Sequence, residues 1–394
     1  MPALLPLADA WSRLFALAPP LPVERLPLTD AAGRWAAEDL RALRTQPSAD
    51  LSAMDGYAIA FAGLPGPWRV IGESAAGRAF AGAAQPGETV RIFTGAPLPP
   101  GTDTVMVQEE ASREDALVRL TGEGPAILGR NVRQRGLDFS EGDLLIRAGE
   151  RLSPARLALA GVAGHGTVTV RRKIRVAIAA TGDELVPPGA PVGDAQLPET
   201  NRLMLVAQLA GLPVDILDLG ILPDRRETLV DAFRTVAADL LVTSGGASVG
   251  DHDLVRPALE AAGATIDFWK IALRPGKPVM AGKRGDMVVL GLPGNPVSAF
   301  VTALLFVRPL VAHLAGAADP LPRTRLATLG EPLAANGPRA DYLRAELVDG
   351  RVRAATLQDS GMLRTLASAT CLIVREPHAP AARAGDSVEI LDLA

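Results

Sequence analysis

The stretch from residue 172 to 316 constrains the fold most, because apolar strands and amphipathic helices alternate along it. "IRVAIAAT", "VDILDLG", "DLLVTSGG", "IDFWKIAL" and "DMVVLGLPG" read as strands. "TNRLMLVAQLAG", "DRRETLVDAFRTVA", "DLVRPALEAAG" and "PVSAFVTALLFVRPLVAHL" read as helices. Strands this apolar are covered on both faces, so the alternation predicts a parallel sheet with helices on both sides, a doubly wound α/β unit. Asn201 reads as the cap of the first helix and Gly211 as its stop. Asp224 with Glu227 resembles a capping pair, and Asn295 before Pro296 an N-cap with proline at N1.

In an open α/β sheet, ligands gather at the carboxyl ends of the strands. Here those ends run into "TGDEL", "SGGASVGDHD", "RPGKP" and "GLPGNP". Glycine lets backbone N–H groups approach an oxyanion, and helix starts add a favourable dipole. Four glycine-rich loops on one edge point to a phosphate-bearing ligand. Gly182, Ser244, Gly245, Gly246 and Ser248 belong to the first two loops, and Arg274, Lys277, Gly294 and Asn295 to the last two. Asp183, Glu184, Asp251 and Asp253 lie in the same loops. Acids beside phosphate call for a bridging hard cation, so Mg²⁺ held by Glu184, Asp251 and Asp253 is one reading. Helix caps and solvated charges are the other.

At 394 residues the chain exceeds one ordinary core. Residues 1–41 look helical; 42–140 switch to short strands cut by Gly and Pro, a β-rich unit. Residues 141–171 include Ser153-Pro154, an N-cap and N1 pair, and 317–394 read as a small β-domain. Aromatics make up only 4%, so the cores rest on Ala, Val and Leu. A net charge of -4 argues against a nucleic-acid groove. One cysteine, Cys371, and four histidines leave no disulfide and no His/Cys metal centre to build. Leu7, Trp11, Leu14 and Phe15 fall at helical spacing, which reads as an amphipathic helix and not a secretory signal. No run reads as long and charge-free enough to span a membrane. A cytoplasmic enzyme is expected, without a Ser-His-Asp or reactive-cysteine arrangement.

Outside the α/β unit, "LSAMDGYAIA" holds Asp55 in an apolar-sided turn. "RIFTGAPLP" presents Thr94 at a strand end, and "VRQRGLDFSEGD" sets Asp138 beside Arg133 and Arg135. The residues alone leave these as turns. Taken in order, "SAMDGYA", "IFTGAPLP", "RGLDFSEGD", "TGDEL", "SGGASVGDHD", "RPGKP" and "GLPGNPVSAF" resemble the motifs of the molybdopterin molybdenumtransferases (MoeA), a family that includes the C-terminal domain of gephyrin. The resemblance runs from about residue 7 to the C-terminus.

It implies an L-shaped subunit of four domains: 1–41 with 141–171 for dimerisation, 42–140 β-rich, 172–316 molybdopterin-binding, and 317–394 barrel-like. It implies a homodimer whose cleft joins the third domain of one chain to the second domain of its partner. The reaction it implies converts adenylyl-molybdopterin and molybdate to molybdenum cofactor and AMP, with Mg²⁺. Transient contacts with an upstream adenylyltransferase and with molybdoenzyme acceptors would follow. By motif position, Asp55, Thr94, Asp138, Glu184, Asp224 and Asp253 would be catalytic. Lys270, Arg274, Lys277, Pro293 and Pro296 would bind substrate, with Arg344 and Ser360 on the molybdate side. Arg274 stands where lysine is common in the family, Leu51 where asparagine is usual, and "SATCL" departs from the family's "AN" pattern. Two rivals share parts of the pattern: an adenylyltransferase acting on molybdopterin itself, which lacks the first 170 residues' motifs, and a non-catalytic gephyrin-like scaffold.

Overall fold

The computed structural model describes residues 4–245, 254–268, 270–276 and 278–393. Its centre is a six-stranded sheet of β1 (Ile174–Thr181), β2 (Val214–Leu222), β3 (Leu240–Ser244), β4 (Thr265–Phe268), β5 (Met280–Arg284) and β6 (Met287–Leu292), in the order β2-β1-β3-β6-β5-β4. The run β2-β1-β3-β6 is parallel, whereas β5 runs against both of its neighbours. The sheet is therefore mixed, not wholly parallel as the alternation suggested. The reason is local: Arg284 pairs with Met287, which leaves Gly285-Asp286 as a two-residue hairpin turn with Gly285 at φ +59°.

Helices do cover both faces. Leu205, Leu209 and the 296–314 helix pack on Val176, Ile178, Val242 and Leu290. The helices Arg226–Thr235 and Val255–Ala261 pack on Ala177, Leu241, Met280 and Val289. Alternate residues of one strand thus serve opposite layers.

The helix Pro296–Leu314, 19 residues long, is in fact long and apolar enough to cross a membrane, which corrects the sequence expectation. Its apolarity serves the core instead, since 78% of its most apolar window is buried. A π-helical turn at Ala303–Val307 precedes Pro309. Proline has no N–H to donate one turn back, to the Leu305 carbonyl. The Trp11 indole N–H supplies that bond at 2.7 Å. Trp11 belongs to the helix Leu7–Ala16, which is further held by the Arg13–Asp267 ion pair and by Phe15 stacked on His313 at 4.8 Å. Replacing Trp11 by phenylalanine leaves that carbonyl without its donor. Stability should fall by about 1–3 kcal/mol, seen as a lower urea midpoint at unchanged slope. An unmoved midpoint would show that the bond carries no weight.

The first helix therefore belongs to the α/β core, and the helical stretch expected to continue to residue 41 reduces to a three-residue 3-10 turn at Leu28–Asp30. Val23–Pro27 is a strand paired antiparallel with Thr167–Arg171, and Leu40–Arg41 pairs with Leu144–Ile146. Gly33, at φ +75°, stops a helix from running through "TDAAGRWAAEDL". The helix Pro154–Val162 starts as read, with the Ser153 hydroxyl accepting from the Arg156 N–H.

A second six-stranded sheet spans Gly56 to Leu120, with its own cores around Trp68 and Ile92. A third contains Arg325–Leu329, Ala340–Val348, Arg351–Ala354, Cys371–Arg375 and Ser387–Asp392, and shares the central core through Tyr342 and Leu372. "IDFWKIAL" is not one strand. β4 ends at Phe268, and Leu273–Arg274 leaves the α/β unit to pair with Ala340 and Asp341 of the third sheet.

At the amino end of β3, Asp239 ties the sheet together. Its carboxylate accepts from the Arg172 guanidinium at 2.7 and 2.8 Å and from the Arg175 N–H at 2.8 Å. Burial alone would raise this carboxyl, but these donors hold it at about 2. A depressed carboxyl stabilises the fold above the unfolded value, and that gain is lost as pH falls from about 4 to about 2. Asp239→Asn should cost roughly 1–2 kcal/mol at pH 7 after solvent screening. The gap to wild type should close as the pH of the melts is lowered through that window. A gap independent of pH would refute the ionic origin.

Candidate functional site

The carboxyl ends of β1, β3 and β6 meet at two glycine corners. Gly245, after β3, sits at φ +92°, and a Cβ there would lie 2.5 Å from the Thr181 carbonyl oxygen, so no larger residue fits. Its N–H donates to Leu292 O at 3.3 Å. Gly294, after β6, packs against it, with room for a Cβ only 3.6 Å from Gly245 Cα. Behind both corners, Asn201 Nδ2 donates to Ser244 Oγ at 2.8 Å and to Gly294 O at 2.7 Å. Asn201 is thus not the helix cap read from the sequence. Thr200 holds that position, and the buried Glu199 carboxylate accepts from the Arg202 N–H at 2.9 Å. Thr181 Oγ1, at the same edge, is buried without a partner among the described residues.

Acids gather beside these corners. The Glu184 carboxylate lies over Gly182, where a Cβ would meet Glu184 Oε2 at 2.5 Å. Asp183 Oδ1 accepts from the Asp224 N–H at 3.0 Å. The Asp224 carboxyl is pushed above its ordinary range, first by burial and then by the charges of Asp183 and Glu184. The Asp224–Glu227 capping pair does not form, because the following helix starts at Arg226 with no side-chain cap. Gly246, Ser248, Asp251, Asp253 and Lys277 lie outside the described residues. Among the described residues, no group of three or more His, Cys, Asp or Glu converges to enclose a metal. The carboxylates of Asp183, Glu184 and Asp224 still repel one another, and a cation shared with substrate oxygens would relieve that.

The third sheet reaches the same edge. Arg274 Nε donates to Asp341 Oδ2 at 2.9 Å, with a second bond from Nη2, so its charge is engaged by a buried acid. Pro293 is buried and Pro296 occupies N1, as read, but the Asn295 side chain does not cap its helix. Asn295 Nδ2 donates to Ser360 Oγ at 3.0 Å, and the Val297 N–H donates to Ser360 O at 3.0 Å. Ser360 is therefore at the "GLPGNP" corner. Arg344 is buried, and its guanidinium donates to Leu357 O, Gln358 Oε1 and Met362 O. It braces the loop that carries Ser360. The Lys270 carbonyl accepts from the Leu5 N–H at 2.9 Å, which fixes the link after β4.

In the β-rich unit, Asp55 Oδ1 accepts from both the N–H and the hydroxyl of Thr94, each at 2.8 Å. These bonds hold the Asp55 carboxyl below its ordinary value. Gly56 is required beside it, since a Cβ would lie 2.0 Å from Met106 O. Arg91 supports the turn: its guanidinium lies 5.1 and 4.8 Å from the Tyr57 and Phe93 rings and donates to Gly56 O at 3.0 Å. Sequence reading missed Arg91. Asp138 is exposed beside Gln46, whose carbonyl takes its N–H at 3.0 Å, and is not joined to Asp55 and Thr94.

A cavity of about 720 Å³ opens at the opposite, amino end of β1 and β2. Its cations are already paired, Arg34 with Glu24, Lys173 with Asp215, and Arg172 and Arg175 with Asp239. It is a balanced ionic network at the edge away from the glycine corners.

Comparison with known proteins covers the whole chain. Residues 5–164 match the MoeA N-terminal region (domain I and II), 177–313 a probable molybdopterin binding domain, and 327–393 the MoeA C-terminal region (domain IV). A molybdopterin molybdenumtransferase of Haemophilus influenzae is 37% identical over 401 aligned positions, covering 98% of each chain. Molybdopterin molybdenumtransferase 2 of Mycobacterium tuberculosis is 33% identical over 93% of this chain and 94% of its own. The crystal structure of a molybdopterin biosynthesis MoeA protein from Pyrococcus horikoshii OT3 superposes with a TM-score of 0.83 at 26% identity, over 99% of this chain and 100% of its own. With all three regions matched and full-length relatives above 30% identity, the chain belongs to the MoeA family of molybdopterin molybdenumtransferases.

Proposed function

We propose that this protein inserts molybdenum into molybdopterin, taking adenylyl-molybdopterin and molybdate to molybdenum cofactor and AMP. The observation that carries this reading is the acid group Asp183, Glu184 and Asp224 beside two closely packed glycine corners. Such a juxtaposition suits a phosphoanhydride. The corners would orient the phosphate, and the engaged Arg274 and the Ser360 loop would border the molybdate side. Mg²⁺, when bound, would neutralise charge on the phosphoanhydride, with Glu184 and Asp224 the described residues suited to hold it. Asp55, kept ionised by Thr94, would accept a proton or orient a water but not donate.

The β-rich unit keeps cores of its own, separate from that of the α/β unit, which fits a homodimer in which it serves the partner's cleft. An anaerobic assay tests the reading. AMP should appear from adenylyl-molybdopterin only when molybdate is added, and EDTA should suppress it. ATP consumption with free molybdopterin would instead identify the adenylyltransferase, and binding of the adenylylated pterin without AMP release would identify a scaffold.

A further inference from the structure

The Asn201 side chain bridges the two glycine corners, bonding Ser244 at one and Gly294 at the other. It is nine-tenths buried, starts its helix without capping it, and spends both amide hydrogens outside that helix, one on Ser244 Oγ and one on Gly294 O. The Gly294–Asn295 peptide is trans, so its C=O and N–H point in opposite directions. Pinning the Gly294 carbonyl inward turns the Asn295 N–H outward, at a corner where Gly294 and Asn295 are both exposed. The same amide fixes Ser244, and through it Gly245, whose backbone lies against Gly294.

We infer that Asn201 is a positioning residue: its amide holds the two glycine corners in register and presents the Asn295 N–H to a phosphate oxygen of the pterin substrate. The inference rests on the molybdopterin reading above. Asn201→Ala removes both bonds. Asn201→Asp keeps the shape but replaces the donor facing Gly294 O with an acceptor, which favours a flipped peptide. A carboxylate at a helix start is otherwise favourable, so the aspartate variant should fold.

Binding is titrated anaerobically with molybdopterin and with its dephosphorylated form, alongside thermal melts and AMP release. Both variants should bind molybdopterin at least tenfold more weakly, bind the dephosphorylated pterin like wild type, and show the defect in AMP release mainly as a raised KM. Equal weakening toward both pterins would mean a merely structural role and would overturn the inference, as would wild-type affinity in the aspartate variant. If wild-type protein itself releases no AMP, the functional reading falls instead, and the two failures are distinguishable.

Discussion

Asp55→Ala should release AMP about 100-fold more slowly or worse, with the β-rich sheet intact. Among the described residues the side chain accepts from Thr94 alone, and the exposed Thr94 N–H can turn to water. The turn itself is held by the backbone, through the Gln108 N–H on Asp55 O at 3.1 Å and the Arg91 bond to Gly56 O. Asp55→Asn separates charge from shape, because an amide oxygen can still accept from Thr94. A comparable loss in that variant would assign the effect to the charge. Wild-type rates in both would reduce the loop to a turn.

The same residue tests the shared cleft. A chain carrying Asp55→Ala is defective in its β-rich unit, and one carrying Asp224→Ala in its α/β unit. If each cleft joins one chain's α/β unit to the partner's β-rich unit, a mixed dimer contains one intact cleft. Random re-association should then restore about a quarter of wild-type activity, since half of the dimers are mixed and each has one of two sites. A cleft formed within one chain would give no rescue.

The α/β unit was legible because its strands are apolar and its turns are marked by glycine, signals that act locally. β5 was missed because "MAGKR" is short and ends in charges; only the Gly285-Asp286 turn marks its hairpin. The helix expected through "TDAAGRWAAEDL" had good propensity, but Gly33 takes a left-handed conformation there and long-range pairing with Thr167–Arg171 decides the neighbouring strand. Asn201 and Asn295 were both read as caps from their positions. A cap is a local preference, and in each case a partner far along the chain claims the amide: Ser244 and Gly294 for one, Ser360 for the other. The pairing of Arg274 with Asp341 was likewise invisible, since it depends on a two-residue strand crossing into another sheet. Motifs named the candidate residues. Which of them touch was a matter of tertiary placement.

Arg344→Ala should lower stability by about 3 kcal/mol and raise the KM for molybdate. The guanidinium is buried, and truncation strips donors from Leu357 O, Gln358 Oε1 and Met362 O at once. Burial pulls this guanidinium below its ordinary value, partly offset by Asp359, so it sits where charge is costly and its bonds must hold it. With the brace gone, the loop that places Ser360 against Asn295 and Val297 loses its support. Arg344→Lys is the sharper variant. It keeps the charge but lacks the planar fork that reaches three acceptors, so it should resemble alanine in urea melts and in molybdate KM. Were lysine to restore molybdate KM fully while melts of the alanine variant match wild type, the side chain would act as a direct charge on the anion and not as a brace.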